Sequence, residues 1–375
     1  MLEAHDVGWG ASGRNGGMAV MRYKTSWARL AARYGDTAAL HLHKLLLEAA
    51  DTLEETVAEL AIDCGWSRCG HLSAANGRAA GAVFAADLAW LARVAHDRAP
   101  RLVSREETAE LTGTASYLDS YLDPRAGGIH PLAYCRGIGA ALVRRGVAVH
   151  AATPVLALQE DADGVALSVP GATVRARQVI VATNAYTNAY SLGTDLATRI
   201  VPVATSVIAT APLPESLRRA ILPQGHLVSD TRHLLNYFRM APGNRLLFGG
   251  RGSLSGREAP EIYRGLEDKL VATFPALAGV AIDYRWSGHV AVTLDDFPHI
   301  GRASPRIAYA LGYGGRGVAL TNLLGKLLAR LVRGEKVNAG PMSDNAFAAI
   351  PLHGLLVPAM KAVAGYYRLL DALRL

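Results

Sequence analysis

Between residues 36 and 61, apolar side chains recur at steps of three and four. Leu42, Leu45, Leu46, Ala49, Leu53, Val57 and Leu60 form one stripe, which predicts a long amphipathic helix. A second helix is expected over 79–97. Ser104-Arg105-Glu106-Glu107 has capping-box spacing and opens a short helix. Pro131 suits the first turn of a helix ending near Arg145. After Gly146 the period changes to two, and 147–150, 155–159, 165–169, 173–176 and 179–182 read as short strands. Residues 234–240 and 245–249 read as a hairpin over Ala241-Pro242-Gly243-Asn244. A helix follows at 262–274, strand-like residues at 281–292, a strand at 307–311 and a helix at 318–332. Helices and strands alternate at both ends, and the middle looks antiparallel. The pattern predicts a mixed α/β fold in which a sheet domain interrupts a ligand-binding α/β domain.

Composition adds little to that class and removes several others. Of 375 residues, half are apolar and 19% charged, as in ordinary globular chains. The 38 glycines exceed the usual share of about 7% and point to positive-φ turns or backbone held close to a ligand. Three cysteines make no disulfide framework, so a reducing, cytoplasmic setting is expected. No apolar run approaches the ~20 residues that span a bilayer, and Glu3, His5 and Asp6 stand where a signal peptide would be basic and then apolar. The net charge of +7 comes from scattered Lys and Arg, so a generally basic surface is expected and not a nucleic-acid footprint.

Three segments carry candidate chemistry. The first is Leu2-Glu3-Ala4 followed by Val7-Gly8-Trp9-Gly10-Ala11-Ser12-Gly13-Arg14-Asn15-Gly16-Gly17. In a Rossmann-type unit the second strand ends in an acidic residue that binds a ribose, and Glu3 sits at such a strand end. The glycine-rich loop after it can set backbone N–H groups, the Ser12 hydroxyl and the Arg14 guanidinium against a pyrophosphate. The second segment runs from Gly127-Gly128-Ile129-His130-Pro131 to Val179-Ile180-Val181-Ala182-Thr183-Asn184-Ala185, an apolar strand ending in small and polar residues. In the third, Thr293-Leu294-Asp295-Asp296-Phe297-Pro298-His299-Ile300-Gly301-Arg302 precedes Gly312-Tyr313-Gly314-Gly315-Arg316-Gly317-Val318, whose glycines lead into a helix N-terminus. Each segment alone also reads as a glycine turn or a buried strand.

Together, in this order, the segments resemble the FAD-dependent oxidoreductases of the D-amino-acid oxidase/glycine oxidase superfamily, and its gamma-glutamylputrescine oxidase-like branch in particular. The resemblance includes Asp230-Thr231-Arg232, Asn236-Tyr237 and Gly249-Gly250-Arg251, and covers essentially the whole chain. It implies an FAD-binding domain of the glutathione-reductase variant type with a discontinuous antiparallel-sheet substrate domain. The expected FAD-binding parts are 1–62, 127–188 and 297–335, the substrate domain 63–126 and 189–296, and 336–375 a tail with a helix. Non-covalent FAD is implied. Glu3 and Ala4 would stand at the ribose, and Gly10, Ser12, Gly13, Arg14, Asn15 and Gly16 along the pyrophosphate and flavin. Val155 would meet the adenine, Thr183, Asn184 and Ala185 the far side, and Gly301, Gly314, Gly315, Gly317 and Val318 the flavin's pyrimidine end. The implied reaction oxidises a C–N bond of a small amine or amino acid, with O2 as acceptor and H2O2 as product.

Two departures qualify that implication. The family's first strand, G-x-G-x-x-G turn and helix, roughly 30–40 residues, are missing before Leu2, so the chain is expected to be truncated and to bind FAD weakly. The Arg of a G-x-R-P stretch, which holds an α-carboxylate in relatives, is replaced in Gly288-His289-Val290-Ala291. Substrate-site candidates are therefore His289, Tyr237 and Arg239, with Arg251 as another cation, and an amine or polyamine is favoured over a simple α-amino acid. An inactive remnant and a dehydrogenase with another electron acceptor are the rival readings. Cys64, Cys69 and His71, with His41 and His43, lack usual zinc spacing and read as core cysteines and a surface histidine pair. No G-x-S-x-G elbow is present.

Overall fold

The computed structural model describes residues 1–189, 194–252, 259–344, 346–353, 362–363, 365–367 and 370–371. Its largest sheet has eight strands in the order Ile282–Val292, Val201–Thr210, Arg245–Arg251, Tyr237–Ala241, Leu227–Asp230, His71–Ala74, Ser120–Asp123 and Arg101–Val103. Neighbours are antiparallel except Leu227–Asp230 and His71–Ala74, which run parallel, so the expected antiparallel sheet is in fact mixed. Alternation along these strands sends side chains to two different environments. Leu72, Val228, Phe238, Leu246 and Phe248 point into a core closed by Tyr263, Leu266 and Leu270 of the helix Pro260–Thr273. The opposite face carries His71, Ser229, Tyr237, Arg239 and Gly249, by the register that pairs Ser229 with Tyr237 and Tyr237 with Gly249.

The second core lies between two helices, Trp27–Glu59 and Gly317–Val332, whose apolar stripes meet through Leu42, Leu46, Leu53, Leu320, Leu324 and Leu327. A three-stranded sheet beside it pairs Val179–Val181 in parallel with Ile307–Leu311, and His299–Ser304 antiparallel to the latter. Ala157–Glu160, Val165–Val169 and Ala172–Ala176 form a small antiparallel sheet.

Several boundaries differ from the sequence expectation for identifiable reasons. The helix expected from residue 36 starts earlier, at Trp27, and bends at Gly35, where φ is +83°. The strand expected at 147–150 is reduced to one parallel bridge between Leu2 and His150. The helix expected over 79–97 is α-helical through Trp90 and then forms a π turn, Leu91–Ala95, that His96 ends at φ +51°. Val201–Thr210, His71–Ala74 and Ser120–Asp123 have no counterpart in the pattern reading. They are interior strands, and His71–Ala74 and Ser120–Asp123 are buried at every position, so no polar alternation announces them.

Candidate functional site

The first motif folds into a tight, internally bonded loop. Asn15 closes the four-residue helix Ala11–Arg14: its Nδ2 donates to the carbonyls of Ala11 (3.0 Å) and Ser12 (2.9 Å), and its Oδ1 accepts the Gly17 N–H (2.7 Å). Arg14 lies over the Trp9 ring and donates to the Trp9 carbonyl (2.6 Å) and the Ser287 carbonyl (3.1 Å), while Trp286 Nε1 donates to the Arg14 carbonyl (2.8 Å). The loop is thereby pinned to the strand Ile282–Val292. Gly13 allows a close backbone approach, since a Cβ there would stand 2.0 Å from the Gly8 carbonyl oxygen. Glu3 pairs by its backbone with His150 and Thr153, and one carboxylate oxygen accepts the His5 N–H. Ala4 and Val155 are half-buried and Ser12 is exposed.

The second and third motifs meet each other. Asn184, at φ +44°, accepts the Gly312 N–H on its Oδ1 (3.0 Å), and the Thr183 and Thr187 hydroxyls share a hydrogen bond of 2.7 Å. Ala185 is buried beside them. The Gly314 N–H donates to the Ala291 carbonyl (2.8 Å), which anchors the glycine loop to the large sheet. Gly315 has φ +87° and open space where a Cβ would be, and no side chain caps the helix that starts at Gly317, with Val318 half-buried in its first turn. Gly301 is different: it pairs with Tyr309 within its sheet, and its nearest neighbour is the Tyr309 hydroxyl.

Between these loops and the large sheet lie the substrate-site candidates. Tyr237 is wedged between two glycines, with its ring 2.6 Å from where a Gly16 Cβ would stand and 2.2 Å from that of Gly249. Burial pushes its phenol well above the usual value. Arg239 is 6% exposed and is already engaged: its Nη1 donates to the carbonyls of Gly17 (2.7 Å) and Ile129 (2.9 Å), and its Nε to that of Met240 (3.1 Å). His289 packs edge-on against Tyr186, whose ring also covers Gly10. In the sheet, two strands separate His289 from Tyr237, roughly 14 Å at the usual strand spacing. The Arg251 side chain lies outside the described residues.

Sequence reading missed His71, Ser229 and Arg316. His71 is 2% exposed, and its Nε2 is 2.9 Å from the Ser229 hydroxyl. Burial, followed by Arg316, Arg22 and His226, holds its imidazole well below the usual 6.5. Arg316 was visible inside the glycine run, yet nothing in that pattern indicates where its guanidinium goes. It is half-buried with no acceptor among the described residues, and burial together with the nearby Arg22 pushes it down to about 10.

His71 gives a pH prediction. It stays neutral in the folded state, whereas the unfolded chain takes up a proton below about pH 6.5, so stability is lost as pH falls through that value. The slope from this group is at most about 1.4 kcal/mol per pH unit. Thermal midpoints measured from about pH 7.5 to 5 should drop, and His71→Gln should flatten the drop in part. His43 contributes in the same direction, because burial lowers it too.

His43 corrects one expectation. It is buried, with Nε2 3.0 Å from Asp97 Oδ2, while His41 reaches the Asn338 carbonyl, so the two are not a surface pair. Among the described residues no group of three or more His, Cys, Asp or Glu is placed to hold a metal. No helix among them is long and apolar enough to cross a membrane.

The arrangement fits one end of a flat anionic cofactor. An uncapped helix N-terminus and the open space at Gly315 lie on a loop that the Gly314 N–H ties to Ala291 of the large sheet. The family model of the FAD dependent oxidoreductases (DAO) matches residues 1–331. This chain belongs to that family: it is an enzyme, an FAD-dependent oxidoreductase.

Gamma-glutamylputrescine oxidoreductase of Escherichia coli (strain K12) is 34% identical over 379 residues, which cover 100% of this chain and 87% of that protein. A probable oxidoreductase, OrdL, of Haemophilus influenzae is 32% identical over 384 residues, covering 100% and 86%. Among solved structures, glycine oxidase from Geobacillus kaustophilus superposes with a TM-score of 0.77 at 20% identity, over 92% of this chain and 91% of that one. L-proline dehydrogenase from P. horikoshii does so with a TM-score of 0.72 at 18% identity, over 91% and 87%. The fold is thus common to an oxidase and a dehydrogenase, and it does not choose the electron acceptor.

Proposed function

We propose that the protein oxidises the C–N bond of a small amine, of the γ-glutamyl-capped kind or an amino acid, with O2 as electron acceptor. The observation that carries this reading is the full-length similarity to gamma-glutamylputrescine oxidoreductase. FAD, when bound, supplies the two-electron acceptor that turns an amine into a hydrolysable imine, and its reoxidation by O2 releases H2O2. The chain's own residues bind and orient. Glu3 and Ala4 would hold the ribose end, Gly10 to Gly16 and Thr183 to Ala185 would enclose the dinucleotide, and Gly314 to Val318 would hold the flavin. Tyr237 forms the wall against which the amine lies, with His289 at the far rim. Arg239 acts as a positioning residue, because its Nη1 and Nε donate to the carbonyls of Gly17, Ile129 and Met240.

Non-covalent attachment of FAD is supported by the thiol nearest the first motif. Cys135 stands beside Gly8, and burial pushes it up to about 11, so it is a protonated, poorly nucleophilic thiol at neutral pH.

The test is peroxide release by the purified, FAD-loaded chain with γ-glutamylputrescine, putrescine, glycine and proline as substrates. Peroxide formed in step with substrate loss supports the reading. Substrate-dependent loss of flavin colour without air, but no peroxide in air, would move the enzyme to the dehydrogenases. A chain that takes up no flavin would overturn the reading.

A further inference from the structure

Arginines scattered along the sequence meet in space at one cleft of about 870 Å3. Arg177, Arg302, Arg306 and Arg333 line it, and none of its described lining residues is acidic. Its volume is that of a small-molecule site. The cleft lies at the opposite end of the strands from the glycine loops. Arg177 and Gln178 precede Val179–Val181, and Pro305 and Arg306 precede Ile307–Leu311, whereas Thr183–Ala185 and Gly312–Gly317 follow the same two strands. Val332 brings the last turn of Gly317–Val332 to the cleft, about 24 Å along that helix from its glycine end at 1.5 Å per residue.

Two of the guanidinia are fixed without being neutralised. Arg302 donates from Nη1 to Gln178 Oε1 (3.1 Å) and the Pro305 carbonyl (2.8 Å), and from Nη2 to the Leu331 carbonyl (2.8 Å). Arg306 donates from Nη1 to the Arg177 carbonyl (3.3 Å) and from Nη2 to that of Ala162. Gln178 in turn donates to the Val332 carbonyl (3.0 Å). These bonds satisfy carbonyls at the helix end, yet every acceptor is neutral, so both positive charges persist. Arg177 is exposed and its side chain has no partner among the described residues. Arg333 differs from the other three in meeting a carboxylate, that of Glu335 (2.8 Å).

Three uncompensated guanidinia around one concave surface favour an anion whose oxygens accept their forked N–H groups. Their combined charge exceeds the roughly two negative charges of a single phosphate. We propose that this cleft binds a small diphosphate-bearing anion, at a site separate from the glycine loops. The proposal goes beyond the amine-oxidation reading and does not depend on it.

Pyrophosphate is the probe, titrated by calorimetry into FAD-loaded, desalted wild type and into Arg177→Gln, Arg306→Gln and Arg219→Gln. Arg219 lies on the helix Glu215–Ala220 outside the cleft, so its variant removes the same charge elsewhere. Wild type is expected to take up one pyrophosphate per chain without releasing flavin, and to bind orthophosphate about 10-fold more weakly or worse. Arg177→Gln should weaken pyrophosphate about 5- to 20-fold at an unchanged melting temperature, with Arg219→Gln within about twofold of wild type. Arg306→Gln should weaken binding at least as much and also lower the melting temperature, through its lost carbonyl contacts. The proposal is overturned by no saturable uptake, by unchanged affinity in Arg177→Gln, or by equal weakening in Arg219→Gln, which would mean a general basic surface. Flavin released in step with pyrophosphate would also overturn it, since the anion would then compete at the dinucleotide loops. ADP bound more tightly than pyrophosphate, and through Arg177, would support a nucleotide as the source of the diphosphate, and equal binding a free diphosphate.

Discussion

Gly17→Ala is expected to give a chain that neither keeps flavin nor melts at the wild-type temperature. Gly17 has φ +67°, and a Cβ there would stand 2.0 Å from the Ile129 carbonyl oxygen and 2.9 Å from Arg239 Nη1. The first of these atoms is backbone, so it cannot swing away as the end of a side chain would. Ile129 N–H donates to the Gly17 carbonyl, and both residues flank the short pairing of Met18–Ala19 with Gly127–Gly128. The added methyl therefore pries the first motif from the second and pulls Arg239 off its carbonyls. The expected cost is more than about 3 kcal/mol, well above the roughly 1 kcal/mol of left-handed strain alone. Gly279→Ala is the matched control, because φ is +81° there but the space is open. Thermal unfolding and retained flavin absorbance after desalting read both variants. Equal behaviour of the two would mean that close approach at Gly17 does not hold the site together.

Asp230→Ala is expected to unfold the approach to Tyr237. The Asp230 carboxylate is almost fully buried and accepts from Asn236 N–H (3.0 Å), Asn236 Nδ2 (3.1 Å), Arg232 N–H (3.2 Å) and the Arg232 guanidinium. Burial raises its pKa, which these donors oppose. Without the carboxylate, a cation and buried N–H groups lose their partner at once, a loss of about 3–5 kcal/mol. Because Asn236 immediately precedes Tyr237, the damage should reach the site as a raised KM as well as a lowered melting temperature. Asp230→Asn should restore part of the stability, since one amide oxygen keeps accepting. An Asp230→Ala protein with wild-type melting and KM would show that the turn is held by other contacts.

The fold was legible in the sequence where one side chain period meets one environment. The stripe on residues 36–61 and the apolar face of Gly317–Val332 are surface helices with a single core face; the first was read only from its bend at Gly35 onward, the second at nearly its true length. Pro131 and the Ser104 cap likewise act through local backbone geometry, so their helices begin where expected. Interior strands such as Val201–Thr210 lack that contrast. In His71–Ala74 two of the four buried residues are polar, and a pattern reading treats the segment as loop.

The site divides in the same way. Its glycine motifs were readable because a tight approach admits no Cβ: Gly13 and Gly17 lie against backbone and Gly16 against the Tyr237 ring. The roles of the charged side chains were not readable. Arg239 and Arg316 carry the same guanidinium, and only the tertiary structure sets one against three carbonyls and gives the other no acceptor among the described residues. Residue order and local sterics were enough for the family, the mixed α/β class and the glycine motifs. Which carbonyls Arg239 meets, which side chains share a face of the large sheet, and that two strands lie between His289 and Tyr237 were decided only by folding. Register and long-range hydrogen bonding set those relations, and neither is written in any one segment of the chain.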